Sequence, residues 1–246
     1  MTNMKSTFKA GNFRRIRLSV HWTFILVIVW FLAVNLLSGT SGGGWFWSLI
    51  MIISLLASIL VHDIAQASVA AYFDIEINRL IFLPIGGLPS ISLKPKREIH
   101  ELLMLAAGPA ANLMIAGFLT IFLRPYLAYW NEPENIGVGY GGNFLFQLQF
   151  INLILGLLNL LPVFPMDGGR ILDALLEKKF GSEKSVQIVN MISIFAALIC
   201  IITGITVLKY SVLLMGIFIF FTIPLGKYYH PFKKKVINNR HLIGNN

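Results

Sequence analysis

Three side chains that could do chemistry stand together in an otherwise apolar stretch: His62, Asp63 and Gln66, in LVHDIAQASVAAY. A fourth, Asp167, follows two prolines in NLLPVFPMDGGR, which runs from Asn159 to Arg170. Imidazole and carboxylate are the ligands of a zinc ion when cysteine is absent, and a carboxylate beside such an ion can take a proton from water. On a helix, His62 and Gln66 are four apart and share one face, while Asp63 borders it. The pattern also suits an interhelical hydrogen-bond cluster, and Asp167 alone reads as a loop residue capping a turn. A His and an Asp on two elements, both close to one membrane surface, form the beginnings of a metal site.

The elements that hold these residues read as parts of an integral membrane protein. Of its 246 residues, 56% are hydrophobic and 13% charged, with mean hydropathy +0.73; a soluble domain carries about 25% charged residues. Six spans are expected, at about 20–37, 45–72, 102–123, 144–161, 186–208 and 212–225. An ionisable group inside such a span costs about 2.5–3.5 kcal/mol on insertion scales, so His62 and Asp63 call for a function. The net charge of +9 comes from Lys and Arg at the ends of apolar tracts, where a membrane protein needs them, and does not indicate nucleic acid. On this plan 18 of the 20 basic residues fall on one side, only Arg124 and Lys209 on the other. That places both termini in the cytosol, at the plasma (inner) membrane.

The expected domains are a cytosolic tail over 1–19, a transmembrane domain over 20–226 and a basic cytosolic tail over 227–246. The first apolar run lacks a small-residue cleavage site and reads as a retained span. Cys200 is the one cysteine, which excludes a disulfide framework and a Cys-based zinc site within one chain. SGTSGGG reads as a flexible connector between the first two spans. INRLIFLPIGGLPSISL, with Pro84, Gly86, Gly87 and Pro89 between apolar runs, reads as a short hairpin at the membrane surface. The fold class is therefore an all-α membrane protein of about six helices with one small β-hairpin. His21 reads as an interfacial anchor, and Asn112 as a hydrogen-bonding partner for a neighbouring helix.

NLLPVFPMDGG resembles the NxxPxxPxDGG motif of the site-2 protease family of intramembrane zinc metalloproteases. Asn159, Pro162, Pro165, Asp167, Gly168 and Gly169 match it without a gap. LPIGGLPS is similar to the family's Gly-Gly hairpin, AAGPAANL to its Gly-Pro-x-x-Asn element, and SVHWTF also fits. The six-span plan is similar to the compact branch that includes the sporulation sigma-factor-processing protease. The resemblance implies zinc as cofactor and cleavage of membrane-spanning or membrane-associated regulatory proteins within the lipid bilayer. It assigns His62 and Gln66 to the two histidine-ligand positions of HExxH, Asp167 to the third ligand, Asp63 to the catalytic glutamate and Asn159 to the oxyanion.

The chain departs from that pattern where it matters most, reading HDIAQ in place of HExxH. Asp63 keeps the charge but is one methylene shorter, and a misplacement of roughly 1 Å can cost about 10²-fold. Gln66 exchanges a good zinc ligand for a poor carboxamide oxygen. Weak or absent zinc and impaired catalysis are the expectation, with a substrate-binding pseudoprotease as the alternative and a transporter or channel as the remote one. The sequence does not fix a substrate or an oligomeric state.

Overall fold

The structure, a computed structural model, describes residues 7–13, 16–21, 42–75, 77–82, 88–91, 98–130 and 140–222. Among them are six helices: α1 (Gly42–Tyr72), α2 (Glu98–Trp130), α3 (Tyr140–Asn159), α4 (Asp167–Phe180), α5 (Ser182–Thr206) and α6 (Tyr210–Thr222). Four strands accompany them: β1 (Thr7–Phe13), β2 (Ile16–His21), β3 (Ile77–Phe82) and β4 (Leu88–Ile91). The chain divides into two compact units, one of residues 1–92 and 107–157, the other of residues 93–106 and 158–246.

Three helices are long and apolar enough to cross a membrane by length and composition: Leu49–Tyr72, Glu98–Leu123 and Ser182–Thr206. Phe144–Asn159 and Val212–Thr222 are shorter apolar helices. The body of the chain is thus helical and suited to a multi-pass membrane protein. Phe118, Ile121, Phe195 and Ile202 are exposed, as side chains that meet lipid rather than water would be. Residues 22–37 of the expected first span lie outside the described residues, as do Pro84, Gly86, Gly87 and the tail over 227–246.

The first unit contains the sheet, in the order β1-β2-β3-β4. β1 and β2 are antiparallel, with an irregularity between Lys9 and Gly11. β2 and β3 run parallel, from Arg17↔Arg79 to Val20↔Phe82. Parallel neighbours need a long crossover, and α1 lies within the connection between these two. β3 and β4 pair antiparallel, from Ile77↔Ile91 to Ile81↔Leu88. The N-terminal strands were not expected: residues 7–13 were read as tail, and β2 carries extended backbone through Val20 and His21, where the first span was to begin. The reason is visible afterwards in IRLSVH, where Ile16, Leu18 and Val20 alternate with Arg17, Ser19 and His21 at the period of a strand. SGTSGGG is likewise not all connector, since Gly42, Gly43 and Gly44 open α1.

α1 ends where Asp74 takes a left-handed φ of 52° and the Ile75 N–H reaches back to the Ala70 carbonyl at 2.9 Å. Such a left-handed cap uses up a carbonyl that the helix itself leaves unpaired, and Asp tolerates the conformation.

In the second unit Val163, Ala197 and Ile219 form a buried cluster, with Met166, Met215 and Phe218 packed against it. α5 and α6 approach closely because a Cβ on Gly216 would come within 2.8 Å of the Ala197 carbonyl and of the Ile201 N. Between α3 and α4 the segment 160–166 is a run of bends and turns, as Pro162 and Pro165 require.

Candidate functional site

In the first unit, the face of α1 that carries His62 repeats a polar side chain every four residues: Ser54, Ser58, His62 and Gln66, all buried. Ser54 and Ser58 donate to the carbonyls one turn back, Ile50 and Ser54, each at 2.8 Å. Such back-bonding lets a hydroxyl sit in an apolar helix without an unmet donor. Asn152 of α3 is also buried; its Nδ2 donates to Ser58 Oγ at 3.1 Å and to the Leu148 carbonyl at 2.9 Å. The sequence reading missed Ser58 and Asn152. The step of four in SLLASILVHDIAQ was the available signal for Ser58; nothing comparable marks Asn152.

His62 itself is 5% exposed, Asp63 2% and Gln66 4%. The two ring nitrogens of His62 each face a carboxamide nitrogen at 3.3 Å: Gln66 Nε2 at the ring's Nε2, Asn112 Nδ2 at Nδ1. Asn112, on α2, is fully buried. The expectation that it bonds a neighbouring helix is therefore met, and its partner is the histidine. One turn before it on α2, Gly108 makes room for the ring. A Cβ there would collide with Nε2 and lie 2.5 Å from Cδ2 and 2.7 Å from Cε1 of His62. Gly108 and Asn112, four apart, share the face turned to His62; this is the physical content of the AAGPAANL element.

The second unit carries Asn159 and Asp167. Asn159 is the last residue of α3 and half-buried. Asp167 is not in a loop, as it was read, but is the first residue of α4, and it is buried. A carboxylate in the first turn and Lys178 and Lys179 in the last both suit the helix dipole. Asp167 Oδ1 also accepts from Arg170 Nη1 at 3.4 Å, both side chains being 10% exposed. The two glycines that follow are needed for packing. A Cβ on Gly168 would strike the Leu160 and Leu161 carbonyls, and one on Gly169 would lie 2.6 Å from the Val163 carbonyl. The turn after α3 thus folds directly onto the first turn of α4. It is fastened by Ser193, whose Oγ accepts the Phe164 N–H at 2.8 Å and donates to the Val189 carbonyl at 2.7 Å.

For zinc, the first unit offers one imidazole and one carboxamide at the motif positions, and the second unit one carboxylate that already carries an arginine partner. Where the metal would need a second lone pair beside His62 Nε2, Gln66 can offer only a carboxamide. Among the described residues no group of three or more His, Cys, Asp or Glu lies together as metal ligands would. These residues do not make the two-His, one-carboxylate set that the sequence resemblance implies.

Comparison with known proteins agrees on the scaffold. The family model described as Peptidase family M50 matches residues 50–130 and 137–200. The chain is 32% identical over 206 residues to the zinc metalloprotease MJ0392 of Methanocaldococcus jannaschii, covering 84% of this chain and 56% of that protein. It is 29% identical over 136 residues to stage IV sporulation protein FB of Bacillus subtilis, covering 54% of this chain and 43% of that one. The chain spans about half the length of the curated relatives it matches. Among solved structures, the site-2 protease from Methanocaldococcus jannaschii superposes with a TM-score of 0.68 at 29% identity, covering 89% of this chain and 94% of that one.

Proposed function

This chain belongs to peptidase family M50, the site-2 proteases, and from that premise we propose that it keeps the scaffold of an intramembrane zinc metalloprotease while its hydrolytic chemistry is lost or severely impaired. The observation that carries the reading is the contact between Gln66 and His62 Nε2 at 3.3 Å. At the position of the second ligand stands a side chain that bonds the first ligand instead of joining it. His62 and Asp167, with the Gln66 oxygen, are the remaining donors at the ligand positions of the family motifs. With a carboxamide at position 66, zinc binding is weak. Asp63 occupies the position of the base, one methylene too short, and Asn159 that of the oxyanion partner. The retained activity is recognition of membrane-spanning or membrane-associated regulatory proteins in the bilayer. A regulatory pseudoprotease is therefore the form of the scaffold that the closed contacts of His62 favour. The chain crosses the inner membrane six times with both termini in the cytosol, and the paired strands β3 and β4 lie at the membrane surface.

The test is the zinc content of purified protein, with and without Gln66→His, beside cleavage of a membrane-anchored test substrate. The expected result is little zinc and no cleavage in the unmodified chain, rising toward about one ion per chain in the variant. Robust zinc-dependent cleavage by the unmodified chain would overturn the proposal.

A further inference from the structure

A neutral imidazole has one N–H and one lone pair. His62 nevertheless presents both ring nitrogens to carboxamide nitrogens, Asn112 Nδ2 and Gln66 Nε2, each at 3.3 Å. Two amide donors cannot both be accepted, because the neutral ring offers one lone pair and the imidazolium none. One of the two carboxamides must therefore turn its oxygen to the ring. A half-turn exchanges oxygen and nitrogen without changing the shape of the side chain.

The surroundings decide which one turns. Asn112 Oδ1 is buried and has no hydrogen-bond partner among the described residues. A half-turn of Asn112 therefore breaks nothing at that oxygen and sets it on the ring as an acceptor. The amino group moves to the oxygen's former place, so one unmet group replaces another while the ring gains an N–H···O bond. Gln66 takes part in a further interaction, and its Oε1, unlike Asn112 Oδ1, is not one of the buried oxygens left without a partner. The ring cannot swing away to evade the choice. Gly108 lies so close beneath it that even a methyl there would meet three ring atoms.

We propose that Asn112 is a positioning residue: its oxygen accepts the Nδ1–H of His62 and fixes the tautomer whose Nε2 lone pair faces Gln66. The proposal rests on the reading above, in which zinc is too weakly held to fix Nε2 in this chain. The same tautomer is the one a ligating histidine adopts when its other nitrogen donates to a carbonyl. The geometry of the first ligand thus persists although the second has been replaced.

The experiment is nitrogen NMR of the full chain labelled with 15N-histidine in detergent, zinc removed by chelation, with His62→Gln to identify the resonances. The expected spectrum shows a protonated Nδ1 and an unprotonated Nε2 at His62. Asn112→Asp, which can only accept when ionised, should leave that pattern in place, and Asn112→Leu should mix the tautomers. A protonated Nε2 in the unmodified chain, or a switch of tautomer in Asn112→Asp, would overturn the proposal. Should Asn112→Leu not fold, the comparison of the unmodified chain with Asn112→Asp still decides. On a Gln66→His background, losing the Asn112 acceptor should weaken zinc binding by about 10- to 100-fold, read by metal titration. Adding zinc to the unmodified chain separates the two claims. A change at Nε2 that saturates at about one zinc per chain would overturn the functional reading, whereas a protonated Nε2 in zinc-free protein would overturn the role of Asn112 alone.

Discussion

One methylene and one ring separate HDIAQ from HExxH, and the two changes remove different things. On the proposed reading Gln66 takes away a ligand, so an ion has less to hold it, and Asp63 draws the carboxylate back by roughly 1 Å, a distance that alone can cost about 10²-fold. Groups that act as a unit are grossly non-additive when altered one at a time. Asp63→Glu alone should therefore recover no measurable cleavage, and Gln66→His alone should recover zinc binding with little turnover. Together they should exceed the product of their separate effects. Cleavage of a membrane-anchored substrate measures this, with Asp167→Ala on the doubly restored background as the blank. A zinc-loaded, well-folded double variant that still does not cleave would place the divergence elsewhere, among the residues that receive substrate. The contacts of His62 favour restoration. Gly108 and Asn112 already confine the ring, so a second imidazole at position 66 would join a first that is held in place.

At the scale of the element, the turn after α3 depends on Ser193. Its hydroxyl is the acceptor for the buried Phe164 N–H, and leaving a buried donor unmet costs about 1–3 kcal/mol. Ser193→Ala should lower the thermal midpoint in detergent accordingly, while Ser193→Thr, which keeps the hydroxyl, should lose less. An unchanged midpoint in Ser193→Ala would mean the Phe164 N–H finds another acceptor. The same segment shows what the sequence could and could not reveal. Pro162 and Pro165 announced the break, and Asn159 through Gly169 announced the family, because those residues are dictated locally by the backbone. That Asp167 opens a helix is less legible, since α4 is not apolar and lacks the hydropathy of a span. The apolar helices were found to within a few residues at most ends, because their signal is length and hydropathy alone. β2 was missed because its alternation was outweighed by the basic residues around it. Its parallel pairing with β3 joins segments separated by the whole of α1, which no local pattern encodes. Of the candidate site residues, His62, Asp63 and Gln66 stand out as ionisable or polar groups where hydrocarbon is expected, and Asp167 through the motif that follows the two prolines. Asn152 and the pairing of Asn112 with His62 do not, since a partner on another helix is fixed by packing.

For the whole molecule the strongest constraint is parity. Among the described residues, three helices are long enough to span and two are shorter apolar ones; with the apolar run over 22–37 the expected number of crossings is six, and an even number returns the chain to the side on which it began. The distribution of Lys and Arg gives the same answer by separate physics, because 18 of 20 fall in segments that six crossings put on one side. Positive charge near the ends of spans is retained in the cytosol. Reporters fused after Lys96, after Lys179 and at Asn246 should therefore all read cytosolic, and reporters placed in residues 38–41 or near Glu134 should read external. The shorter helices carry the sharpest test of this arrangement. α6 has 13 residues, about 20 Å at 1.5 Å per residue, against a hydrocarbon core of about 30 Å. It spans only if the apolar residues up to Leu225 extend it or the bilayer thins locally. If α6 instead returns to the side it came from, the fusion at Asn246 alone would read external while those after Lys96 and Lys179 stay cytosolic. An external reading after Lys96 would be graver, since α1 would then present His62 toward the opposite surface from the one its flanking charges select.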